Sequence, residues 1–278
     1  METFRSRYIA VLAALIMVAS YVHPVLAQGD GLSDTAVLSP YWEPVVSRWQ
    51  NLVVHYGEKR QLDPDLIASV IWKESRGVST VVGPTGAVGL MCVKPFPWRP
   101  SPEELRNPWT NVAAGSATLA QVIRDGSGDV YYALAAYNGG WDKIHRGATR
   151  RYAADVLDHY VRAVAVKNGF TVDGDWIAVL SVEGLRDHKT ITVLGPNLPL
   201  SRYTERPLET RGPAVPHDAS PHATVSSFTS ERGQEARVNL WLLEESSWRP
   251  SEEPSMLSLA GRPFSDDTPV RPFAGLPD

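Results

Sequence analysis

The sequence predicts an all-α domain over residues 42–168, followed by a smaller region that contains β-strands. Three observations carry this. Apolar residues recur at helical spacing in successive segments between residues 42 and 167. Asp-Pro and Asn-Pro pairs stand where helices would begin, and glycine-rich breaks stand where they would end. Beyond Gly169 the pattern changes to short β-branched and aromatic runs set among Pro, Ser and Thr.

The elements follow in order. Arg5 and Arg7 precede an apolar stretch over residues 8–19, and Pro24 leads into Val25-Leu26-Ala27, so residues 1–27 read as a signal peptide cleaved after Ala27, with an uncleaved anchor as the alternative. Residues 28–41 read as a Gly/Ser/Asp-rich linker. Trp42, Val45, Val46, Trp49, Leu52, Val53 and Tyr56 predict one amphipathic helix over residues 42–60, ending near Gly57. Asp63-Pro64 opens the next helix, which Gly77 closes. Residues 78–88 form a loop, residues 89–93 a short apolar piece, and residues 96–108, with four prolines, an irregular stretch.

Asn107-Pro108 opens a further helix with Trp109, Val112, Ala113, Leu119 and Ile123 pointing inward. Asp129 caps a helix through Tyr137, broken by Asn138-Gly139-Gly140, and residues 150–167 form the last helix. Residues 176–182, 190–194 and 238–243 read as strands. Residues 203–233 and 246–278 are rich in Pro and Ser and read as extended or disordered, so residues 169–278 form a C-terminal region of unknown role, partly disordered.

Composition narrows the function classes. With 278 residues, 43% of them hydrophobic, the chain has enough apolar content for one well-filled core and a smaller second unit. A net charge of -4 gives no sign of a nucleic-acid partner or an anionic membrane surface. One cysteine, Cys92, excludes an internal disulfide; with the export signal this fits a bacterial periplasmic, envelope or extracellular protein. The seven histidines are scattered without metal-ligand spacing, and the glycine run at residues 83–89 lacks the Lys-Ser/Thr ending of a phosphate loop, so no cofactor and no metal are expected.

The candidate for chemistry is Glu74. It shares a face with Ile67, Val70 and Ile71 in residues 66–75, LIASVIWKES. A carboxyl at the end of an apolar stripe is partly desolvated, which raises its pKa toward that of a working general acid. A helix-end glutamate that turns into water is the competing reading.

Three motifs follow one another in the helical domain: Glu74-Ser75, Gly86-Ala87-Val88-Gly89-Leu90-Met91, and Ala135-Ala136-Tyr137-Asn138-Gly139-Gly140. Asn111 with Gly115, and the closing segment with Tyr152 and Tyr160, complete the set. In this order and spacing they resemble the soluble lytic transglycosylase family, whose core is shared with goose-type lysozymes. The resemblance covers residues 49–167.

It implies an all-α lysozyme-like catalytic domain acting on peptidoglycan glycan strands at the β-1,4 bond from N-acetylmuramic acid to N-acetylglucosamine. It makes Glu74 the single acid/base and the muramoyl C6 hydroxyl the nucleophile, giving a 1,6-anhydro product. Ordinary glycosidases use two carboxylates, and no second acid near Glu74 stands in a comparable motif. The resemblance further implies that Ser75 binds substrate or orients Glu74, and that Gly89, Leu90 and Met91 form one wall of a groove. Tyr137 and Asn138 supply another wall, and Tyr152 reaches back to Glu74. From the residues alone, Ser75 is equally a helix-end polar group, Met91 a core side chain and Asn138 a helix cap.

Cys92 stands where the family has glutamine, which puts one substrate hydrogen bond in doubt. It reads either as a small buried residue or as a nucleophile partnered by His145 or His159. The rivals to a transglycosylase are a goose-type hydrolytic muramidase and a catalytically impaired wall-binding module. For the C-terminal region, a secretion-system, phage or envelope protein is the partner considered.

Overall fold

The computed structural model describes residues 37–186, 190–194, 208–210, 215 and 218–244. The signal peptide, most of the linker and residues 245–278 lie outside the described residues.

The helical half is built around α3 (Pro64–Ser75), which follows α1 (Pro44–Ser47) and α2 (Gln50–Arg60). In α3, Leu66, Ile67, Ala68, Ser69, Val70 and Ile71 are all fully buried, so the helix is enclosed on nearly every side. Its start is as the sequence predicts: Pro64 is at the first position and the Asp63 side chain accepts from the Asp65 N–H at 2.9 Å. Arg76 (φ 53°) and Gly77 (φ 76°), both left-handed, end it. Gly77 leaves room for the Val45 carbonyl, from which an added Cβ would stand 2.0 Å.

The helix expected over residues 42–60 is instead two, α1 and α2, and the second runs through Gly57 to Arg60. Gln61, at φ 54°, supplies the left-handed cap. Gly57 is required for close approach and not as a terminator, since a Cβ there would lie 2.9 Å from the Leu62 carbonyl oxygen. At the end of the segment read as linker, Leu38 and Ser39 are buried, and the Ser39 N–H donates to Asp65.

The remaining helices are α4 (Pro102–Leu105), α5 (Pro108–Asp125), α6 (Val130–Gly139) and α7 (Gly147–Lys167), with a 3-10 turn at Trp141–Lys143. The α4 helix lies in the stretch expected to be irregular. Ser101 and Glu104 form a capping box there, a sequence signal obscured by the surrounding prolines. The α7 helix packs along α3 and α6 through residues that include Val156, Leu157, Tyr160 and Val161.

Five strands follow: β1 (Trp176–Glu183), β2 (Thr190–Leu194), β3 (Leu208–Thr210), β4 (Ala223–Thr229) and β5 (Glu235–Glu244). They form an antiparallel sheet in the order β3-β2-β1-β5-β4. Strands β3 and β4 fall in residues 203–233, where sequence reasoning expects extended or disordered chain. Their pairing with β2 and β5 orders them, a contribution that local composition does not encode.

The sheet shares one core with the helices. Trp176, Ala178, Leu180 and Val182 on one face of β1 join the helical cluster, while Ile177 and Val179 on the other face meet Trp241 and Leu243. The edge of β4 is covered by the α2–α3 connection: the Asp63 N–H donates to the Val225 carbonyl at 2.8 Å and the Ser227 N–H to the Gln61 carbonyl at 3.0 Å.

Candidate active site

Glu74 is the next-to-last residue of α3, half-buried, with its carboxyl beside α7. The Tyr152 hydroxyl, on α7, donates to Glu74 Oε1 at 2.7 Å. Burial pushes the Glu74 pKa up. The hydrogen bonds from Tyr152 and Cys92 and the Lys73 charge pull it back, and the net shift is upward. The C-terminal pole of α3 acts in the same direction as burial, because the carbonyl end of a helix disfavours an anion. Among the described residues, no carboxylate contributes to the shift of Glu74. The nearby Asp155 pairs with Lys73.

The loop after α3 is held against this carboxyl by backbone clamps. Gly89, at φ 80°, lies so close to the Asn111 side chain that a Cβ would be 2.2 Å from Nδ2. Asn111 is fully buried and spends its whole amide on this loop and on the end of α4. Its Oδ1 accepts from the Met91 N–H at 2.9 Å, and its Nδ2 donates to the Val88 and Leu105 carbonyls at 2.7 and 2.9 Å. One turn on, Gly115 leaves space for the Met91 side chain, whose Sδ would be 2.5 Å from an added Cβ. Ser75 Oγ donates to the Leu90 carbonyl at 2.8 Å, and the Tyr137 hydroxyl donates to the Met91 carbonyl at 2.9 Å.

These contacts divide the expected site residues. Glu74, Tyr152, Cys92 and Tyr137 are brought together. Ser75 is buried and committed to backbone groups, so its place is that of a loop anchor and not of a group aimed at a ligand. Leu90 and Met91 are fully buried in the core, not on an open wall; what they present beside the site is backbone. Gly89 is buried too, against Asn111 and the Leu105 carbonyl. Asn138 is exposed in the last turn of α6, and Gly140 (φ 85°) makes the break after it. Sequence reasoning met Asn111 and Gly115 only as a motif; their i, i+4 spacing under a glycine-rich loop is the signal for the clamp.

Cys92 sits in the left-handed region at φ 45°, with its thiol 3.5 Å from the Glu74 backbone carbonyl. Burial, followed by the Glu74 charge, pushes this thiol up to about 12, so it stays protonated at neutral pH. The histidines weighed as its partners are occupied elsewhere. His159 accepts at Nε2 from the Trp72 indole N–H at 3.0 Å and meets the Tyr41 hydroxyl at Nδ1, 2.6 Å away. Because the indole only donates, the ring is neutral with its proton on Nδ1, in keeping with the burial that lowers its pKa. His145 packs edge-on against Tyr132. The thiol–imidazole reading of Cys92 therefore fails on geometry and on protonation.

Among the described residues, no group of three or more His, Cys, Asp and Glu gathers as a metal site, and no helix is long and apolar enough to cross a membrane. What fold and site together define is a helical domain with a desolvated carboxyl at the end of its central helix, suited to donating and taking back a proton.

Residues 51–158 match the Transglycosylase SLT domain family. An endo-type membrane-bound lytic murein transglycosylase A of Klebsiella pneumoniae is 36% identical over 99 residues, which cover 30% of this chain and 49% of that protein. A transglycosylase of Enterobacteria phage PRD1 is 32% identical over 112 residues, covering 40% of this chain and 42% of that one. The chain thus spans about half the length, or less, of these relatives. The crystal structure of the 70 kDa soluble lytic transglycosylase of Escherichia coli aligns with a TM-score of 0.40 at 22% identity, over 47% of this chain and 26% of that one. The match to the Transglycosylase SLT domain over residues 51–158 falls on the helical domain and takes in the motifs around Glu74, Gly89 and Tyr137.

Proposed function

We propose that the helical domain cleaves the β-1,4 bond from N-acetylmuramic acid to N-acetylglucosamine in peptidoglycan, with Glu74 as the single acid/base. The observation that carries this is the Glu74 carboxyl itself: desolvated, raised in pKa, bonded to Tyr152 and, among the described residues, without a carboxylate that contributes to its shift. A protonated Glu74 donates to the glycosidic oxygen as the C1–O bond breaks. The muramoyl C6 hydroxyl then attacks C1 and gives its proton to the Glu74 carboxylate, which closes the 1,6-anhydro ring and restores the acid. An intramolecular nucleophile removes the need for the second carboxylate that ordinary glycosidases use.

Tyr152 orients the carboxyl, Cys92 occupies the position of the family glutamine, and Tyr137 and Asn138 line the approach. The relatives named as murein transglycosylases support peptidoglycan as substrate, and with it action in the bacterial cell envelope after export through the N-terminal signal.

The test is mass-spectrometric analysis of fragments released from purified sacculi by wild type and Glu74→Gln. Anhydro-muropeptides from wild type and none from the variant are expected. Products with reducing-end muramic acid would make the enzyme a hydrolytic muramidase. Equal sacculus binding by both proteins with no release by either would leave a wall-binding module.

A further inference from the structure

Beyond Cys92 the chain carries a feature that neither the fold nor the acid/base chemistry uses. Phe96 and Trp98 stack face to face, with ring centroids 5.3 Å apart and planes 5° from parallel. Trp98 is 79% exposed and Phe96 38% exposed. Lys94 and Arg99 stand over the Phe96 ring at 5.7 and 5.4 Å from its centroid. Pro95, Pro97 and Pro100 interleave these residues. Each proline fixes its own φ and restricts the residue before it, so the segment gives up little conformational entropy when something binds. The Arg99 N–H donates to the Phe96 carbonyl at 2.9 Å, closing a turn that presents both rings.

An indole left this open holds a large apolar surface in water, and one already stacked on a second ring is a flat, preformed shelf. The shelf continues the stretch of chain that brings Cys92 to Glu74. Trp98 is six residues after Cys92, hence no more than ~21 Å away along the chain. Burial, Glu74 and Cys92 raise the Tyr137 hydroxyl pKa, and the Arg99 guanidinium opposes them, so the charge of the shelf reaches a residue of the site. The chemistry of the shelf has two parts: an aromatic face suited to the C–H face of a pyranose ring, and two cations, with no acid between residues 93 and 100, suited to carboxylates.

We propose that Phe96 and Trp98 form a distal glycan subsite, in which a saccharide ring of the strand stacks on the Trp98 indole while carboxylates of its stem peptide pair with Lys94 and Arg99. The subsite rests on the peptidoglycan reading above and extends it from the cleaved bond to the neighbouring stretch of strand. It makes the protein prefer strands that carry peptide stems.

The experiment measures binding and turnover of the full chain on two substrates: glycan strands with their stem peptides, and strands stripped of them by an amidase. Trp98→Ala is expected to weaken binding about tenfold on both substrates, one stacking contact's worth, with kcat at saturation unchanged. Lys94→Ala with Arg99→Ala is expected to weaken binding of stemmed strands alone. Equal affinity of Trp98→Ala and wild type overturns the subsite. An equal loss on stemmed and stripped strands in the charge variant overturns the carboxylate pairing. If wild type instead binds anionic vesicles through Trp98 and not glycan, the shelf is a membrane contact and the proposal fails. Because binding is read separately from fragment release, a catalytically silent wild type that still loses glycan affinity on Trp98→Ala keeps the subsite while removing the transglycosylase reading.

Discussion

Tyr152 and Cys92 pull on Glu74 in one direction while burial pulls in the other, and the balance sets where the acid works. Each donor stabilises the carboxylate and so lowers the pKa that desolvation has raised. The protonated carboxyl is the form that cleaves in the proposed mechanism, so kcat/KM falls as pH rises through that pKa. Tyr152→Phe keeps the buried ring and deletes one donor. Its alkaline limb is therefore expected at higher pH than that of wild type, with activity at the optimum down roughly ten- to a hundredfold for one lost hydrogen bond to a charged group. A pH–rate profile on purified glycan strands checks this; a limb that stays in place or moves to lower pH would show that the hydroxyl does not act on the acid.

At the scale of elements, the site depends on how α5 grips the loop after α3. A full set of amide hydrogen bonds from Asn111 and a left-handed Gly89 replace regular secondary structure there. Asn111→Ala leaves the Met91 N–H and two carbonyls short of a buried partner, and Gly89→Ala forces a Cβ against the same amide. Each is expected to cost about 2–4 kcal/mol in urea unfolding. Because both break one clamp, the double variant should lose clearly less than the sum of the two. Strict additivity in the cycle would mean that the residues act independently.

At the scale of the whole molecule, helices and sheet meet at Asp63. This residue caps α3, accepts from the Tyr160 hydroxyl on α7 at 2.9 Å, and donates its backbone N–H to β4. Burial, then the neighbouring Asp65, raises its carboxyl to about 7, opposed by its hydrogen bonds and by Lys167. The sign follows from linkage. A carboxyl protonated in the folded state but ionised in the unfolded one stabilises the fold below the unfolded value of about 4, and that contribution is lost as pH rises toward 7. Asp63→Asn keeps the cap and cannot ionise, so the fall in Tm between about pH 4 and 7 should be shallower than in wild type. Glu74 titrates in the same direction and keeps the slope from vanishing. Identical slopes in calorimetry would remove Asp63 from this role.

The approach of Tyr152 to Glu74, 78 residues apart, was implied only by the family resemblance; the sequence by itself determined the helical class of residues 42–168, the start of α3 at Asp63-Pro64, and three of the five strands. These are legible because they rest on local chemistry: periodicity, capping, and motifs held within one turn or loop. Strands β3 and β4, the sharing of one core between sheet and helices, and the buried places of Ser75, Leu90 and Met91 came from tertiary structure. Strand partners distant in the chain order the two polar stretches that become β3 and β4. Whether a motif residue turns toward the site or into the core depends on what packs behind it, here the space left by Gly115. The split between helical and C-terminal regions was read from a change in composition, yet Trp176, Leu180 and Val182 pack into the helical core. Apolar burial follows area and proximity, and those are properties of the folded chain.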